Sequence, residues 1–366
     1  MSKQRRIAVN RGDFDRVVLT ETLPVEVPIV MSNSGFYDWL HTHLPELAAS
    51  TEPAAIEAGR LVETLIFSRK KNADECDLSG CKSTRAMIYS TSVDSKRTRQ
   101  LFLVHPRSQA LWIRFYKRYH TLIVRSCQRS KSSLRAPIRI AGHVFVPNSE
   151  DLSNVYRLQK EDFANVDGVK NDKNIRHASS FFAYRGVQRL HRFMDSDNFI
   201  ALEKKFSVMW ILDVANCFGS IYTHSISWAL KSKIFVKSNN GDKGSFGDVF
   251  DEFMAHGNWK ETHGIVVGPE ISRIFAEIIF QAIDDGALKN LKKVSFELRR
   301  YVDDYFLFAE SDDAAAVVVA ELERRLAEYK FVFNHAKTER YRRPFLTPRS
   351  SALDEVRTVC RNSKQG

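Results

Sequence analysis

Two adjacent carboxylates, Asp303 and Asp304, lie between Arg299-Arg300-Tyr301-Val302 and the apolar run Tyr305-Phe306-Leu307-Phe308. The flanking pattern predicts a β-hairpin with the acids at its turn. Like charges this close raise each other's pKa, and a divalent cation is the obvious neutraliser. An isolated Asp-Asp pair would read equally well as a surface turn, since aspartate favours turns. Upstream, however, Phe206-Ser207-Val208-Met209-Trp210-Ile211-Leu212 runs apolar straight into Asp213, as a buried strand would. Three acids can thus converge. Carboxylates on separate strands can hold two Mg²⁺ ions about 3.5–4 Å apart, which activate an attacking hydroxyl and stabilise a departing pyrophosphate. We therefore expect nucleotide addition, with Asp213 and Asp303 as bridging metal ligands and Asp304 as a weaker or alternating one.

The elements that must position these acids are readable to different degrees. From Thr98, Leu101-Phe102-Leu103-Val104 suggests a strand ended by Pro106, and a helix follows over 108–123 with Trp112, Phe115, Tyr116, Tyr119 and Ile123 on one side. Ser179 to Phe193 reads as a helix with aromatics at its start, and 233–247 as a connector with an Asn-Asn-Gly core. Gly264 to Arg273 opens a helix whose apolar stripe is Ile274, Phe275, Ile278, Ile279, Ala282 and Ile283, with Pro269 suited to its first turn. Ser311 caps a helix over 314–329 whose first turn tolerates Asp312 and Asp313. Phe331-Val332-Phe333 reads as a returning strand. Residues 1–95 are the least legible: Val17-Val18-Leu19-Thr20 looks strand-like, and Ala54 to Phe67 helical. The expected fold class is α+β.

Composition narrows the partners. The 366 residues carry 55 Lys and Arg against 44 acids, a formal charge of +11, which favours a polyanion such as nucleic acid. Arg125, Arg129, Lys131, Arg135 and Arg139 could track its backbone or form an ordinary charged face. No apolar stretch reaches the length of a membrane span, and no signal peptide is visible, so a cytoplasmic address is expected. Five cysteines, an odd number, argue for free thiols. Cys76 and Cys81 lack the second pair a zinc site needs, and Cys217 reads as a small packing residue.

Three segments in order, Asp213-Val-Ala-Asn-Cys-Phe218, Gly264 to Ser272 and Tyr301-Val-Asp-Asp304, resemble the palm motifs of reverse transcriptases. The wording Cys217-Phe-Gly-Ser-Ile-Tyr-Thr-His-Ser-Ile-Ser-Trp228 is most similar to bacterial defence-associated and abortive-infection reverse transcriptases, and within these to the longer reverse-transcriptase subunit of type 3 defence systems. The resemblance implies a right-hand polymerase with an N-terminal, mostly helical extension (1–95), fingers (96–205), a palm with the catalytic hairpin (206–350) and the start of a thumb or tail (351–366). On this reading the thumb is absent or incomplete.

The same resemblance assigns roles. Phe218 floors the nucleotide pocket and excludes a ribose 2′-hydroxyl, so dNTPs are the expected substrates. Arg99, in a fingers strand, faces the triphosphate, and Lys337 neutralises the leaving pyrophosphate or acts as general acid. Gly268, Ser272 and Tyr301 border the nucleotide, and 340–347 resembles the primer-positioning strand turn. Val266-Val267-Gly268 stands where most members have a Gln-containing wording, and Gly219 replaces a frequent Asp. Implied partners are an RNA or DNA template and product, with a second reverse-transcriptase subunit, a noncoding RNA or an oligomer left open. An RNA polymerase and a noncatalytic nucleic-acid-binding palm are the competing readings.

Overall fold

The computed structural model describes residues 5–20, 33–67, 76, 78, 81–92, 97–146, 180–186, 190–239 and 244–345. Residues 346–366, residues 240–243 of the expected connector and most of the cysteine-containing segment after Phe67 lie outside the described residues. No described helix is long and apolar enough to cross a membrane.

Two hairpin strands, β1 (Met87–Ser92) and β2 (Thr98–Leu103), pair antiparallel and lead into α1 (Pro106–Ser126). Proline at the first turn and His105, whose ring accepts from the Arg107 amide, start this helix. All five residues expected on its inner side are buried. A second antiparallel pair joins β3 (Arg135–Ile140) to β4 (Phe182–Gly186).

The acids stand on a four-stranded antiparallel sheet. Its order is β8 (Glu339–Arg342), β5 (Val208–Asp213), β7 (Asp304–Ala309) and β6 (Phe296–Tyr301). Beneath it lies α4 (Glu270–Asn290), which packs against α2 (Ser225–Lys231) and α5 (Asp312–Glu328); α3 (Phe246–Gly257) packs against α1 and α2. Ile274, Phe275, Ile278, Ile279 and Ile283 are at most 1% exposed, so the predicted stripe is the floor of the sheet. Ser311 caps α5 by accepting from the Ala314 amide, as expected.

Five local expectations need correction. Val17–Thr20 is a helical turn, buried at all four positions against α1, with the Thr20 hydroxyl bonding back to the Val17 carbonyl. Its β-branched residues suggested a strand, but a turn bonds its own backbone where no partner strand exists. Residues 182–186 form a strand instead of a helix, because pairing with β3 satisfies their backbone. Gly186, at φ 76, permits the exit, since a Cβ there would lie 2.5 Å from the Leu134 carbonyl oxygen. Helix resumes only at Leu190–Met194. Within the supposed connector, Lys233–Ser238 is helical, capped by the Ser232 hydroxyl. Residues 331–333 contribute a single bridge, Phe333 to Val214, and the fourth strand is β8. Pro269 is also the N-cap of α4 and not part of its first turn.

Candidate active site

Strand register brings the acids together. Asp213 ends β5 directly opposite Asp304, the first residue of β7, while Tyr301, the last residue of β6, pairs with the same Asp304. Only Val302 and Asp303 span the hairpin. Val302 adopts φ 59, a left-handed conformation that costs a β-branched residue about 1–2 kcal/mol. Strain of that kind persists only where surroundings impose it. Here the Val302 carbonyl accepts from Arg300 Nη1 at 2.9 Å.

Three carboxylates crowded on one face perturb one another. Burial raises Asp304, with Asp303 and Asp213 adding to it, to about 7. Burial also raises Asp303, with Asp213 reinforcing the rise and Arg99 and Lys337 opposing it. The Lys337 ammonium lies 3.0 Å from Asp213 Oδ2. Among the described residues, the ligand atoms of Asp13, Asp15 and His41 lie within 4.8 Å of one another. All-oxygen, anionic donors on separate strands suit a hard divalent ion, which would relieve the repulsion raising Asp304. The residues present therefore fit divalent metal ions, which Asp213, Asp303 and Asp304 would hold.

Arg99, exposed on β2, comes within electrostatic reach of Asp303 although just over two hundred residues separate them in sequence. A hydrogen bond from the Phe102 amide to the Val267 carbonyl, 2.9 Å, docks β2 on the loop that precedes α4. Phe218 is half-buried, and its carbonyl accepts from the Ile265 amide at 2.9 Å. Close packing surrounds Gly219. A Cβ at 219 would lie 2.5 Å from Asn216 Oδ1, and Gly264, at φ +80, would place its own Cβ 3.1 Å from the Gly219 carbonyl oxygen. Two glycines let these loops meet behind Phe218. Gly268, at φ 125, directs its carbonyl to Arg273 Nη2 at 3.0 Å.

Other expected site residues sit differently. Ser272, expected to border the nucleotide, is fully buried within α4. Tyr301 is half-buried and packs on a second apolar cluster that includes Phe306 and Phe193. Cys217 is buried below the acids; burial and the three carboxylates push its thiol well up, which suits packing and not nucleophilic attack. The proposed basic track loses two members. Arg135 is paired with buried Glu270 at 3.3 Å, beside Arg273 and Tyr184, and Arg129 bonds the Ala229 carbonyl and faces Asp285 at 3.7 Å.

What sequence reasoning missed is the charge under the hairpin. Arg300 is 0% exposed and bonds Asp284 at 2.9 Å and Glu277 at 2.8 Å, while the Tyr305 hydroxyl donates to Asp284 at 2.8 Å. Burial would lower the guanidinium, but the two carboxylates overcome that and hold it charged. The signal was present: Glu277, Gln281 and Asp284 recur at helical spacing on the buried side of α4, and Arg300 falls on an inward position of β6.

Residues 170–347 match the family model of the reverse transcriptase (RNA-dependent DNA polymerase). A comparison with curated protein sequences finds no match. Solved structures that are similar include telomerase from Candida albicans in complex with a fragment of telomeric RNA. It is 13% identical, with 86% of this chain and 54% of that chain covered and a TM-score of 0.38. Apo telomerase from Candida tropicalis is 14% identical over 90% of this chain and 61% of that one, at a TM-score of 0.34. The chain thus spans a little over half the length of these two telomerase chains.

Proposed function

We propose that the reverse transcriptase domain of residues 170–347 works as a nucleotidyltransferase that adds deoxynucleotides to a primer end, with two Mg²⁺ ions held by Asp213, Asp303 and Asp304. The observation that carries this reading is the register that sets Asp213 opposite Asp304 across one strand pair, with Asp303 at the adjoining turn. The ions supply Lewis acidity and an activated hydroxyl. The chain's own residues position and neutralise. Arg99 faces the incoming triphosphate, where its planar fork suits phosphate oxygens. Lys337, which pairs with Asp213, balances charge on the departing pyrophosphate. Phe218, backed by the Gly219–Gly264 contact, floors the sugar pocket, and Gly268 and Tyr301 border the nucleotide. In domain terms, 96–205 serve as fingers and 206–350 as palm.

Incorporation of labelled dNTPs by purified protein, with Mg²⁺ and a primer–template, tests the reading. Activity in wild type and its loss in Asp213→Asn supports it, whereas equal activity in both removes the site assignment. A role in bacterial antiphage defence rests on the wording of Cys217 to Trp228 alone. Protection of cells against phage by wild type but not by Asp303→Asn would support that role. Sequencing of copurified nucleic acid and of the product would identify template and partner.

A further inference from the structure

We infer that Arg300 is a positioning residue that sets the hairpin turn, and through it the metal-holding geometry of Asp303 and Asp304. This inference rests on the function proposed above. Arg300 belongs to β6, yet its guanidinium reaches three acceptors on two elements: Asp284 and Glu277 of α4, and the Val302 carbonyl of the turn itself. It is 0% exposed, with Phe280 stacked 5.0 Å from its centre, so it touches no solvent and no substrate.

Each acceptor is fixed in turn. Glu277 accepts from Gln281 at 2.7 Å, and Asp284 accepts from Tyr305, the cross-strand neighbour of Arg300. The Arg300 main chain also bonds Ser132 and Leu134, tying the strand to the loop before β3. Such a clamp draws the Val302 carbonyl inward. That holds Val302 at φ 59, which a valine leaves readily, and so fixes the backbone on which Asp303 follows. A lysine has the charge of arginine but no rigid fork, so it cannot hold α4 and the turn together.

Binding of Mn²⁺, followed by electron paramagnetic resonance without nucleotide, tests this on wild type, Arg300→Lys and Arg300→Lys/Val302→Gly, with circular dichroism to confirm folding. Loss of an outer partner typically weakens metal binding about 10–100-fold, and we expect at least the lower figure for Arg300→Lys. Glycine accepts positive φ without strain, so the double variant should regain most of the loss. A purely structural role would not be rescued at Val302. Wild-type Mn²⁺ affinity in folded Arg300→Lys overturns the inference, as does a loss that Val302→Gly does not restore. Should Arg300→Lys fail to fold, Glu277→Gln decides, because it loosens the clamp while Asp284 still pairs the guanidinium. Weakened Mn²⁺ binding supports the clamp, and unchanged affinity overturns it. Wild type that binds Mn²⁺ but incorporates no dNTP removes the polymerase reading and leaves the Arg300 comparison standing. Wild type that binds no Mn²⁺ overturns the inference.

Discussion

Two charged clusters lie on either side of one hairpin turn, and they are built on opposite principles. Above it, Asp213, Asp303 and Asp304 are partly exposed, with Lys337 against Asp213 and Arg99 within reach of Asp303. Below it, Arg300, Glu277 and Asp284 are all at most 6% exposed and saturated by one another. The upper cluster raises Asp304 to about 7, while the lower one keeps its guanidinium firmly charged. A buried charge whose partners are complete belongs to the fold. A crowded, partly open set of like charges is poised for a ligand of opposite sign.

Removing a charge should therefore do opposite things in the two places. Arg300→Met strands Glu277 and Asp284 in the core and should cost about 3–5 kcal/mol of stability, read by denaturant unfolding. Asp303→Asn takes away a repelled carboxylate and should leave the metal-free protein equally stable or slightly more so. Equal destabilisation by both changes would break the comparison.

The next largest effect concerns the sugar. Phe218→Val should raise the ratio of rNTP to dNTP incorporation about tenfold or more. An unchanged ratio in an active variant would make Phe218 a packing residue only.

Acidity should sharpen the contrast further. Asp304 has a folded-state pKa above that of an unfolded aspartate, so its protonated form is the one the metal-free fold favours. That contribution to stability is present below about pH 4 and is lost as pH rises through about 7. Divalent-ion binding needs the carboxylate, so affinity should move the other way, rising through about pH 7 with proton release. Denaturant unfolding of the metal-free protein across this pH range checks the first sign, and calorimetric Mn²⁺ titrations in buffers of different ionisation enthalpy check the second. A smaller change is expected from salt. Nucleic-acid binding should weaken as salt rises, through Arg125, Lys131 and Arg139, which remain exposed, and not through Arg129 or Arg135.

The upper cluster was legible because its signals are local: an apolar strand ending in Asp213, and two acids at a tight turn. The lower one was not, because its members lie on α4 and β6 and meet only once the helix packs under the sheet. The same distinction explains the misread elements. Val17–Thr20 and 182–186 have compositions suited to either helix or strand, and the presence or absence of a pairing partner decided between them. Long periodic helices such as α1 and α4 needed no such arbitration. Arg99 is intermediate. A resemblance placed it near the triphosphate, and the bond from Phe102 to Val267 brings its strand to the site.

The central claim is that the upper carboxylates hold metal ions for nucleotide addition. Single-turnover incorporation of a labelled dNTP, by wild type and Asp303→Asn at matched folding and saturating Mg²⁺, tests it most directly. The account predicts clear incorporation by wild type and a loss of at least about 100-fold in the variant, with unfolding unchanged. Incorporation by Asp303→Asn at the wild-type rate would contradict it.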